Sequence, residues 1–83
     1  MGNSYYLACF QTCDRINFFR FDVINQSLEI SNYNIENPNK RKLIEKLKIE
    51  KNFEMEYDEK GIFFQIDGNR YKMLISDKKA LKI

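Results

Sequence analysis

Few side chains in this 83-residue chain have reactivity of their own. The thiols are Cys9 and Cys13, and there is no histidine. On one continuous strand the two cysteines would stand ~13 Å apart, beyond the ~7 Å Cα limit for a disulfide; only a tight turn could bring them together. Zinc normally takes four N, S or O ligands, which two thiols without histidine supply only if a second subunit completes the set. Both are read as free thiols, Cys9 buried and Cys13 in a turn, as in a reducing cytosol. Lacking histidine, the chain cannot build the usual Ser–His or Cys–His nucleophile pair. Carboxylate pairs do occur: Glu54 and Glu56 share a strand face, and Asp58 and Glu59 sit in a turn. Acid–base work needs carboxylates of unequal burial, whereas these alternate with apolar residues and so face water. No G-x-G-x-x-G or G-K-[ST] pattern is present to cradle phosphate. The expectation is a non-enzymatic protein with no cofactor and no metal.

Charge is the remaining chemistry. The net value is only +2, but it is segregated: residues 39–51 sum to +4, 52–67 to −4 and 68–83 to +4. The basic run NPNKRKLIEKLKIEK makes Lys40, Arg41, Lys42 and Lys46, with Lys78 and Lys79, the candidate partner-binding residues. Such a run suits phosphate or an acidic protein surface. The plainer reading is a solvated face that balances the acidic hairpin beside it. Lysine, asparagine and isoleucine are also what an A+T-rich coding sequence inflates.

The elements that must position these residues follow from periodicity. Phe53, Met55 and Tyr57 alternate with Glu54, Glu56 and Asp58, the pattern of a half-buried strand. Asp58–Gly61 reads as a type I turn closed by a left-handed Gly61, and Asp67-Gly68-Asn69 as a second hairpin turn. With Ile62, Phe64, Ile66 and then Tyr71, Met73, Ile75, residues 53–75 read as a three-stranded antiparallel meander. Residues 4–33 read as another, with turns at Thr12–Arg15 and Asn25-Gln26. Between them a helix is expected through about residue 48. Asn37 would cap it, Pro38 fits its first position, and Leu43, Ile44 and Leu47 form its stripe. The rival for residues 46–50 is a strand, since Leu47 and Ile49 also alternate. The tail from Ser76 to Ile83 reads as a short helix capped by Ser76 or Asp77, or as a frayed end.

The expected fold is therefore α+β, βββ-α-βββ, with a sheet of about six strands and one central helix in a single domain spanning 1–83. A chain of this mass folds to ~5,200 Å² of surface from ~14,500 Å², enough for one thin core. One short helix covers only part of such a sheet, yet Phe18-Phe19 and Phe63-Phe64 put rings on both faces. Leaving them in water costs ~25 cal/mol per Å². The sheet must curl into a small barrel or split sandwich, dimerise, or offer that face to a partner. No stretch approaches the ~20 apolar residues of a membrane span, the start lacks a secretory signal, and Tyr6 stands where N-myristoylation prefers Ser or Thr. The functional expectation is a cytoplasmic module that binds a protein stoichiometrically, such as an inhibitor of a host protein carried by a phage or mobile element in an anti-defence role. The alternatives are a nucleic-acid or nucleotide binder using the basic helix, and a homodimeric assembly or regulatory subunit.

Overall fold

A computed structural model describes residues 4–77 and 79–83 of the chain. Three antiparallel strands, β1 (Ser4–Thr12), β2 (Arg15–Asp22) and β3 (Ser27–Asn34), form a meander that β4 (Lys42–Lys48) extends. A second meander contains β5 (Phe53–Asp58), β6 (Gly61–Ile66), β7 (Asn69–Leu74) and the short β8 (Leu81–Lys82). Alternation decides which side of each strand is buried. Phe19, Leu28 and Ile30 of the first sheet join Ile62, Phe64, Ile66 and Met73 of the second in one core, with Ile49 and Ala80. Phe19 meets Phe64 edge to face across the sheets, ring centroids 6.0 Å apart. The thin axis of the 37 × 32 × 17 Å molecule suits two layers stacked ~10 Å apart.

No helix occurs among the described residues, so the α+β, βββ-α-βββ expectation is overturned. The fold is all-β, with eight strands in two antiparallel sheets. The error has a physical origin. Ile44 and Leu47 both pack on the core although they lie three residues apart, a spacing that a regular strand cannot place on one face. The register shifts between Ile30 and Ser31, leaving Ile44 as the extra residue between Leu43 and Glu45. A bulge of this kind gives a strand helix-like apolar spacing. Asn37 and Pro38 lie instead in the connection before β4, where the Asn37 N–H donates to the Asn34 carbonyl and the Lys40 N–H to the Asn37 carbonyl.

The tail also pairs rather than coiling. Leu81 and Lys82 join β7, and Asp77 Oδ2 accepts the Leu74 N–H. Cys9 is exposed on β1, not buried, while Cys13 is free and exposed at φ 52° in the β1–β2 turn. Gly61 is not left-handed. It is buried, and a Cβ there would lie 2.5 Å from the Met73 carbonyl oxygen, so close strand approach is what requires glycine. Among the described residues no helix is long and apolar enough to cross a membrane.

One carboxylate gathers most of the hydrogen bonds at the crossing between the sheets, where the Ile49 N–H also donates to the Gln26 carbonyl and the Asp67 N–H to the Asn52 carbonyl. Asp67 and Gly68 both have positive φ, 50° and 89°, in the turn between β6 and β7. From there the Asp67 carboxylate accepts the backbone N–H groups of Glu50, Lys51 and Asn52. These hydrogen bonds, that from Glu50 first, hold its pKa below the ordinary 3.8. A lowered carboxyl pKa adds stability that is present above the unfolded value and lost as pH falls through the folded one. Asp67→Asn is therefore expected to lower the urea midpoint at neutral pH, and the gap from wild type should narrow below about pH 4. A gap of equal size at both pH values would show that the charge does not matter.

Candidate functional site

The outer face of the first sheet carries the densest group of side chains outside the core. β2 alternates, so Phe19 enters the core while Phe18 points to the other side. Phe18 lies opposite Cys9 on β1 and Ser31 on β3. Tyr6 packs edge-on against Phe18 at 6.0 Å, and Tyr33 lies tilted against it at 5.7 Å. Arg41, just before β4, folds back over this group. Its guanidinium carbon sits 4.2 Å from the Phe18 ring centroid and 5.4 Å from that of Tyr6. Nε donates to Ser31 Oγ at 3.0 Å, and Nη2 donates to Tyr6 Oη at 3.1 Å. Tyr6 remains 59% exposed and Leu43, at the margin, 54%. This is a rigid, amphipathic patch open to solvent, held by cation–π and cross-strand aromatic contacts.

Beside it runs a line of charges. Arg20 donates to Glu29 through Nε at 3.0 Å and also through Nη2, and its Nη1 donates to Ser4 Oγ at 3.1 Å. Lys46 Nζ stands 3.8 Å from the other Glu29 oxygen. Glu29 thus neutralises two cations on the face. The hydrogen bond to Glu29 is the main cause that raises the Arg20 pKa.

The residues singled out from sequence do not form one surface. Arg41 and Lys46 share the outer face. Lys42 opposes the buried Asn32, on the other side of β4 from Lys46. Lys40 is exposed in the connection before β4. Lys79 is exposed beside the second sheet's tail, where its charge opposes the rise in pKa that burial imposes on Glu45. Lys78 lies outside the described residues. The basic helix face therefore does not exist, because β4 distributes its cations over both sides of a strand. Spacing along the chain does not group Tyr6, Phe18 and Tyr33. Outward positions in β2 and β3 were readable by alternation, but the register shift after Tyr6 hides its alignment with Phe18.

The second sheet's outer face differs. Glu54, Glu56, Phe63, Gln65, Arg70 and Ile83 line a shallow concavity of about 320 Å³. Among the described residues no cluster of three metal-ligating side chains occurs. Fold and face together define an all-β two-sheet domain with an aromatic–arginine patch. No family model matches the chain, and no curated protein or solved structure matches it.

Proposed function

We propose that this protein acts by stoichiometric binding of a second protein through the outer face of β1–β4, without catalysis. The observation that carries the reading is the Tyr6–Phe18–Tyr33–Arg41 cluster, which stands outside a core built from other residues. Tyr and Arg in rigid, partly desolvated groups are the residue types that dominate protein interfaces. Cross-strand aromatic pairs also stabilise a sheet by about 0.2–1 kcal/mol each, so stability must be measured alongside binding. The nucleic-acid alternative fits less well. Arg41 covers the Phe18 ring, which base stacking would need free, and Arg20 is engaged by Glu29. An inhibitor of a host protein carried by a phage or mobile element is one form of this role; the Lys-, Asn- and Ile-rich composition fits such a source as it fits a low-GC bacterium.

The test is capture on immobilised protein from a lysate of the source cells, with wild type beside Arg41→Glu and Phe18→Ala. One partner retained at equal stoichiometry is expected, weakened about 30-fold or more by Arg41→Glu while circular dichroism stays unchanged. Equal retention by folded Arg41→Glu and Phe18→Ala removes this face. Salt-sensitive retention on heparin would favour nucleic acid instead.

A further inference from the structure

Each sheet ends in a free edge where the chain crosses from one to the other. β4 is the last strand of the first sheet and β5 the first of the second, joined by residues 49–52. They are similar in length, 7 and 6 residues, though the bulge at Ile44 leaves Glu45–Lys48 as the regular part of β4, and they are opposite in charge. β4 carries Lys42, Lys46 and Lys48 against Glu45, whereas β5 carries Glu54, Glu56 and Asp58. An edge strand presents a row of unpaired backbone groups that template another strand. β5 offers a regular one, since it pairs with β6 in unbroken register from Phe53↔Ile66 to Asp58↔Gly61.

Charge selects what can add there. Like charges opposed across a strand pair destabilise it, and opposite charges stabilise it. Two β5 edges would oppose carboxylates, and two β4 edges would oppose lysines. Only β4 against β5 has the right sign. The sides match as well. Lys46 pairs with Glu29 and Lys48 with Ser27, the strand positions that alternate with the core residues Leu28 and Ile30; Ser27 is itself buried, but the Lys48 side chain is exposed and donates to the Asn25 carbonyl at 3.3 Å. Glu54 and Glu56 alternate with Phe53 and Met55, which pack on the core, so they face outward.

We propose that two copies of this chain dimerise through these edges, β4 of each beside β5 of the other. The first sheet of one copy then continues into the second sheet of its partner. Both subunits use the same pair of strands, so the contact is self-complementary and closes with twofold symmetry. It leaves the Tyr6–Phe18–Arg41 face open and does not rest on the partner-binding reading.

The experiment is light scattering on the whole chain over a range of concentrations, at about 0.05 M and about 0.5 M salt. At low salt the mass is expected to rise toward twice the 10.0 kDa monomer and to fall back at high salt. Lys46→Glu with Lys48→Glu, and separately Glu54→Lys with Glu56→Lys, should each weaken self-association about ten-fold. Mixing the two double variants should restore the dimer, because each then supplies the edge that the other lacks. If the first variant loses its fold beside Glu29, Lys48→Glu alone takes its place, with a smaller loss of self-association expected. A wild type that stays monomeric at low salt overturns the proposal. So does a dimer indifferent to the substitutions, or a ladder of species that grows without closing.

Discussion

Phe19→Ala is expected to cost about 3–5 kcal/mol, the range for truncating a buried phenylalanine. An 83-residue domain has about 4–12 kcal/mol in all, so this single change removes at least a quarter of it and, at the low end of that range, all of it. Phe19 has no exposed surface and contacts Phe64 of the opposite sheet at 6.0 Å. Its cross-strand neighbours are Ala8 and Ile30. Ala8 is too small to fill the space left behind, so collapse would have to come from the second sheet. Equilibrium urea unfolding measures the loss. Phe18→Ala is the control, since it deletes the same ring one residue earlier on the outward side. It should cost about 1–2 kcal/mol, the scale of its two cross-strand aromatic pairs and the Arg41 stack together. Equal losses for the two would mean that the sheets do not meet where Phe19 and Phe64 place them.

That pair of adjacent phenylalanines shows how far the sequence could be read. Alternation located the strands of the second meander, because a period of two has no competing explanation in segments such as Phe53–Asp58; the first meander was legible only through a noisier β-like pattern, since Tyr5-Tyr6-Leu7 and Phe18-Phe19 break the period. Alternation also required that one ring of Phe18-Phe19 point away from any core the other enters. The alternation could not identify β4. There the bulge at Ile44 sets core contacts three residues apart, and Asn37-Pro38 ahead of it is chemically a good helix start. Local propensity pointed to a helix, and pairing with β3 decided for a strand. The candidate site suffered from the same error. Charges gathered on an imagined helix became a strand with Lys42 on one side and Lys46 on the other. Arg41 is placed by its stacking on Phe18, an arrangement that depends on three strands coming into register.

Register itself has an identifiable determinant, and it supplies the second large effect. Thr12, Asn17 and Asn32 are almost wholly buried, polar residues on the inner face of the first sheet. Asn17 Nδ2 donates to Thr12 Oγ1 at 2.7 Å and to the Phe10 carbonyl at 2.9 Å, and Asn17 Oδ1 accepts from Asn32 Nδ2 at 3.1 Å. A slip of one residue between β2 and β3 would put Asn17 and Asn32 on opposite faces and strand their amides. Asn17→Ala is expected to cost about 3 kcal/mol, since it deprives the Asn32 amide and the Thr12 hydroxyl of partners at once, and each orphaned buried group costs about 1–3 kcal/mol. Asn32 Oδ1 already has no partner among the described residues, so Asn32 would be left with neither end satisfied. Removing the groups together should cost less than the separate losses suggest. In Asn17→Leu/Asn32→Val no buried amide remains to be stranded. The double-mutant cycle from urea unfolding should therefore show a favourable coupling of about 1 kcal/mol or more. The double variant should also gain freedom of register, visible as doubled amide resonances in β2 and β3. Additive losses with a single set of resonances would mean that the polar row is incidental and that the apolar alternation alone holds the strands in place.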